Sequence, residues 1–257
     1  MEAMQKIKCL TIEDSNFPDR LRKLSGMPKK LYYIGNLPDP KKPAAAVVGA
    51  RMCSPYGRCQ AFKYARTMAS YGVQIISGMA RGIDAEGHKG ALDTDTPTFA
   101  VLGSGVDVCY PNSNRWLYQR ILEKGGGIIS ELPPGSPPVN WAFPARNRII
   151  SGLSDAVLVV EAKEQSGSLI TANFALEHGH SVYALPGAVT EELSRGCNKL
   201  IFDGAGIAYS PEIMLMEWGI RGKKQDLKMW KKRSWGLRRI WIWCIVVSIY
   251  DLKIWII

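Results

Sequence analysis

Six short apolar runs, each ending in a glycine-rich or charged break, constrain this chain more than any other feature. They occupy residues 44–48, 73–76, 98–102, 127–130, 156–160 and 181–185. The breaks that follow are Gly49-Ala50-Arg51, Ser77-Gly78, Gly103-Ser104-Gly105, Glu131, Glu161-Ala162 and Pro186-Gly187. Between the runs lie helix-like stretches at 55–71, 84–92, 112–124 and 168–178. Continuous apolar strands alternating with helices form βαβ units, so the pattern predicts an α/β fold with a mostly parallel sheet and helices on both faces. The polar breaks then gather at the strand C-termini, on the sheet edge where open α/β folds hold ligands.

The stretch 77–92 is the richest of these breaks. Ser77 and Gly78 sit where a strand ends, Arg81 and Gly82 follow in the turn, and Asp84 is placed to cap a helix. Free N–H groups, a cation and a helix N-terminus together suit an anion, above all phosphate. The plainer alternative is an ordinary turn whose glycines only permit close packing.

Further motifs follow the same order and spacing as one known family. They are Val47-Val48-Gly49-Ala50-Arg51, the stretch 77–92, Gly103-Ser104-Gly105-Val106-Asp107, and Phe143-Pro144-Ala145-Arg146-Asn147-Arg148-Ile149-Ile150-Ser151-Gly152. Glu161-Ala162, Ser166-Gly167-Ser168-Leu169-Ile170-Thr171, Ala184-Leu185-Pro186-Gly187 and Gly196-Cys197-Asn198-Lys199-Leu200-Ile201 complete the series. Across residues 16–217 the chain resembles the DNA-processing protein A (DprA, or Smf) family. The resemblance implies an extended Rossmann-like domain that binds single-stranded DNA and loads the RecA recombinase onto it during natural transformation. It also implies dimers and contact with RecA.

The residues suit that role. Arg51, Arg81, Arg146 and Arg148 flank the ligand edge, and the arginine fork holds two phosphate oxygens at once. Asn147 lies between two of them. Ser166-Gly167-Ser168 opens a helix-like segment, either adding an anion nest or only capping that helix. Phe143 and Trp141 are candidates for stacking on an unpaired base, with core packing the alternative for one of the two. The mechanism expected is backbone capture by Arg51, Arg146 and the 77–82 turn, with a base near Phe143. One of Arg146 and Arg148 is also a candidate for an inward ion pair with Asp155 or Glu161.

Catalysis finds less support. His88, His178 and His180 are the three histidines, and neither a nucleophile turn nor a Walker loop is present. The expectation is no catalytic residue, no metal and no cofactor, with Asp84, Asp107, Glu131 and Glu161 capping helices and anchoring arginines. The rival reading is a nucleotide sensor or a phosphoribohydrolase-like enzyme on a related sheet. The Pro-Gly-Gly-x-Gly-Thr signature of those enzymes is missing from 162–171. Six cysteines without a Cys-x-x-Cys pair, and a start without signal-peptide character, point to reduced thiols in the cytoplasm.

Charge is uneven. The chain carries a formal +10, but residues from Arg221 onward hold ten cations against two carboxylates, leaving about +2 for residues 1–220. Any nucleic-acid affinity of the α/β part must therefore come from local arginines. The expected organisation is a lead-in at 1–43 with a strand near 29–38, the α/β domain at 44–218, and an atypical tail at 219–257. That tail is basic, holds five of the eight tryptophans within its last twenty-eight residues, and lacks a winged-helix pattern. A membrane-surface anchor fits its composition. A shifted reading frame fits better, because composition changes where the family pattern stops.

Overall fold

A computed structural model describes residues 6–220, and the atypical tail lies outside the described residues from 221 onward. Each apolar run becomes a strand: β3 Ala44–Val48, β4 Gln74–Ser77, β5 Thr98–Val101, β6 Gly127–Ser130, β7 Ala156–Val159 and β8 Ser181–Ala184. Two strands precede them, β1 Lys8–Thr11 and β2 Lys30–Gly35, and a two-residue β9, Gly206–Ile207, follows. The helices are α1 Asp19–Arg22, α2 Pro55–Ser70, α3 Ile83–Leu92, α4 Arg115–Glu123, α5 Ala142–Gly152, α6 Gly167–Glu177, α7 Glu192–Phe202 and α8 Pro211–Glu217.

All nine strands share one sheet in the order β1-β2-β6-β5-β4-β3-β7-β8-β9. From β6 across to β9 every neighbouring pair is parallel. β2 joins β6 antiparallel and β1 joins β2 antiparallel. The lead-in strand expected near 29–38 is β2, and it extends the central sheet. Helices cover both faces, and side chains alternate between them. Phe99, Val101 and Ile129 face a core with α1, α5, α6 and α7, whereas Ala100, Leu102 and Ile128 meet Leu117 and Ile121 of α4.

The strand order creates one special place. From β3 the chain winds outward through α2 to β4, β5 and β6; it then returns to β7 on the other side of β3 and winds the opposite way. β3 and β7 stay paired to their C-terminal ends, but the connections that follow them leave for opposite faces of the sheet, and the crevice outside those ends is the ligand position of open α/β sheets.

Local chemistry rigidifies that edge. Ser54 caps α2 by accepting from Gly57 N–H at 3.0 Å, with Pro55 as the first helical residue. The Glu161 carboxylate, beyond β7, accepts from Ser54 N–H at 2.9 Å and from its hydroxyl. Ala50 N–H donates to the Glu161 carbonyl at 2.7 Å, and Ile83 N–H to the Ala50 carbonyl at 3.2 Å. Three strand-end loops are thus laced together.

Candidate functional site

A cleft of about 580 Å³ opens at the β3/β7 switch point. Its walls come from the loop after β3, the loop after β7 with the start of α6, and the N-terminal half of α5. Of the residues expected from sequence, it brings together Arg51, Phe143, Arg146, Asn147, Ser166, Gly167 and Ser168. Their roles differ.

Arg51 is exposed, and its guanidinium lies over the Phe143 ring at 5.4 Å from the centroid. That distance suits a cation–π contact, which fixes the charge while leaving its N–H groups for a ligand. Phe143 is half-buried and also packs against Tyr110, with ring centroids 5.5 Å apart. Trp141, the N-cap residue of α5, is 64% exposed, so neither aromatic is a core residue.

Arg146 forms the floor. It is only 5% exposed and donates to the Gly78 carbonyl at 2.7 Å and to the Val101 carbonyl. Its Nε–H has no hydrogen-bond partner. Burial lowers its pKa to about 10, the nearby Asp84 carboxylate opposes that shift, and Arg51 adds to it. The guanidinium remains charged at neutral pH, locked to the sheet edge while contributing positive potential from below. Gly78 makes this possible: a Cβ there would lie 2.6 Å from both terminal nitrogens of Arg146.

Ser166 is the N-cap of α6, and its hydroxyl accepts from Ser168 N–H at 3.4 Å. The positive end of the helix dipole faces the cleft beside Gly167, whose Cβ position is open. Asn147 tethers that end by donating to the Gly167 carbonyl at 3.1 Å.

The remaining expected residues lie elsewhere. Ser77 is fully buried and its hydroxyl donates to the Val47 carbonyl at 2.6 Å. α3 begins at Ile83 with Gly82 as N-cap, so Asp84 sits inside the first turn instead of capping it. Its Oδ2 accepts from Gly78 N–H at 3.1 Å and Ala80 N–H at 3.3 Å. Two donors of the 77–82 turn, Gly78 and Ala80 N–H, are therefore already taken by an internal carboxylate, whose pKa burial raises. Gly82 has φ 73°, and a Cβ would collide with the Ala50 carbonyl. Arg81 points outward from this turn and does not line the cleft.

Arg148 faces away too. It pairs with Glu131 through both terminal nitrogens, at 2.8 and 2.6 Å, and its Nε–H donates to the Gly26 carbonyl. The inward pair thus uses Glu131 in place of Asp155 or Glu161. Asp155 instead binds Arg20 at 2.8 Å. Asp107 accepts from Gly135 N–H at 2.8 Å and stabilises a loop.

Sequence reading missed Lys163, Asn140 and Gln165, which line the cleft mouth. Lys163 reaches Glu192 at 2.9 Å, but both side chains are more than half exposed, so this pair is weak and the ammonium can turn to a ligand. Its position just beyond β7 was the available signal.

The fold is that of an α/β protein whose switch point gathers a cation on an aromatic ring, a buried guanidinium and a helix N-terminus. The chain belongs to the DNA recombination-mediator protein A family, whose model matches residues 8–219. It is 42% identical over 214 residues to DNA processing protein DprA of Streptococcus pneumoniae, covering 83% of this chain and 75% of that one. Protein Smf of Escherichia coli is 44% identical over 203 residues, covering 79% of this chain but 54% of that protein. The chain thus spans about half the length of some relatives and three quarters of others. The X-ray structure of the S. pneumoniae protein superposes with a TM-score of 0.78 at 40% identity, over 85% of this chain and 76% of that chain. DNA processing protein A from Helicobacter pylori, studied for its single-stranded DNA binding mode, gives 0.74 at 29% identity, over 85% of this chain and 98% of that chain.

Proposed function

We propose that this chain binds single-stranded DNA in the β3/β7 cleft and acts as a recombination mediator that loads RecA onto incoming DNA during natural transformation. The carrying observation is the unpaired Arg51 guanidinium held over Phe143, opposite the N-terminus of α6. Arg51 and Lys163 take phosphate oxygens, Arg146 supplies charge from the floor, and Ser166–Ser168 presents the helix end. An unpaired base stacks at the Phe143–Arg51 platform. Phosphate contacts position a strand without reading it, so binding is independent of sequence. The single-stranded DNA binding described for the H. pylori relative supports this reading. The protein works in the cytoplasm as a homodimer, with no cofactor and no chemical step of its own.

A second reading has one specific observation behind it: 580 Å³ is also the size of a small-ligand pocket. One titration separates the two. A labelled oligonucleotide bound by the full chain is challenged with unlabelled single strand, with duplex of equal length and with nucleoside monophosphate. The single strand is expected to compete best. Competition by the mononucleotide as strong as by the strand would overturn the proposal in favour of a sensor. Release of free base from the monophosphate would establish an enzyme.

A further inference from the structure

Beside the cleft the structure holds a second aromatic–cation arrangement. Trp116, the second residue of α4, is 48% exposed, and the Lys89 ammonium from α3 lies 5.6 Å from its ring centroid. Glu86 holds Lys89 there at 2.8 Å, so this lysine braces the ring and its charge is already balanced. α4 does not need Trp116 for its own packing, because Leu117 and Ile121 are fully buried and seat the helix on the sheet.

A clamp ties this surface to the cleft. The Asn114 side-chain amide donates to the Met79 carbonyl at 2.8 Å and to the Ala80 carbonyl at 3.3 Å, and Ala80 lines the cleft. The residues next in sequence on the two sides are Arg81 and Arg115, so the clamp joins the two turns that carry them. Both are exposed, and neither side chain makes a hydrogen bond or ion pair among the described residues. Trp116 follows directly.

We propose that a strand leaving the cleft passes Arg81 and Arg115 and stacks a base on Trp116. This rests on the cleft reading above and extends it to the exit path. The chemistry recognised is a phosphodiester beside two exposed cations, then a flat base on indole. Stacking of this kind tolerates any base and has a large effect when the ring is removed.

Oligothymidylates of two lengths test it on the full chain: about five nucleotides, enough for the cleft alone, and about twenty, enough to reach the exit. Trp116→Ala should bind the short strand like the parent and the long strand roughly tenfold more weakly. Trp116→Phe should recover most of that loss, and Arg115→Glu should reproduce it. Arg51→Ala should lose both lengths. Long-strand binding by Trp116→Ala equal to the parent, with Arg51→Ala still defective, would overturn the exit path alone and leave the ring as a protein contact. Equal loss at both lengths, with a lowered thermal midpoint, would make Trp116 structural and overturn it too. No binding of either length by the parent would overturn the exit path together with the cleft reading.

Discussion

Three arginines expected at one ligand edge have three different environments, which show how little residue type alone decides. Arg51 is exposed over a ring, Arg146 is buried against two carbonyls, and Arg148 is clamped by a carboxylate. Arg148→Ala should lower stability by about 1–3 kcal/mol, since a charged hydrogen-bonded pair is broken, and leave DNA affinity within about twofold. Urea denaturation and strand titration on the same variant check this; a large loss of affinity without destabilisation would contradict it. His88 offers an independent test of the buried chemistry. Thr98 donates its hydroxyl to the Ile75 carbonyl at 2.7 Å, so its oxygen accepts from His88 Nδ1–H at 2.8 Å. Nε2 is buried without a partner, and burial with the nearby Arg146 charge lowers the His88 pKa from 6.5 to about 3. Between these values the unfolded chain holds the extra proton, so stability falls as pH drops through 6.5 toward 3. Asp84, raised by burial, works in the opposite direction above its ordinary 3.8. The parent minus His88→Asn difference removes that contribution and should shrink by about 2 kcal/mol from pH 6.5 to 5 in urea midpoints. A difference that does not change with pH would show that His88 is not the titrating group.

Elements differ in how openly the sequence declares them. β3 is buried at every position and reads as an uninterrupted apolar run, which is why its limits match the expectation residue for residue. α2 announces itself through Ser54-Pro55, a cap followed by a proline where the missing N–H costs nothing. α5 gives no such sign, although its N-terminal half forms one wall of the cleft. Pro144 and the Arg146-Asn147-Arg148 run look like a loop, yet Pro144 falls in the first helical turn and the two arginines are held by tertiary partners, backbone carbonyls for Arg146 and Glu131 for Arg148. The 77–82 turn misleads in the opposite sense. Its glycines mark a close backbone approach, the plainer alternative to an anion site, and Asp84 accepts from two of the turn's N–H groups. Only distances could reveal that. At the N-terminus of α6 the reading yields a discriminating variant. Gly167 has open space for a side chain, and an acidic residue in a first helical turn complements the dipole. Gly167→Asp should therefore keep or raise the thermal midpoint while weakening strand binding roughly tenfold, through a carboxylate at the phosphate position. A midpoint that drops with affinity unchanged would mean that this helix end does not meet the ligand.

At the scale of the whole molecule, strand order sets the location of chemistry. Because the chain winds both ways from β3, the loops after β3 and β7 and the start of α6 converge without any local motif requiring it. That edge was legible from the alternation of runs and breaks; which pair of strands flanks the switch point was not, since order in a sheet is a long-range property. Formal charge is a poor guide at this scale, being concentrated from residue 221 onward while the rest is nearly balanced. Among the described residues no helix is long and apolar enough to cross a membrane. Neutralisation of strand phosphates in the β3/β7 cleft makes binding depend on salt. Affinity of the full chain for a labelled oligothymidylate is followed across salt concentration, beside Arg51→Ala, so that charge outside the cleft cancels in the comparison. Log K should fall linearly with log salt, with weaker binding and a slope smaller by about 0.7 in the variant, one phosphate contact on a single strand. Identical slopes and affinities for the two proteins would contradict it.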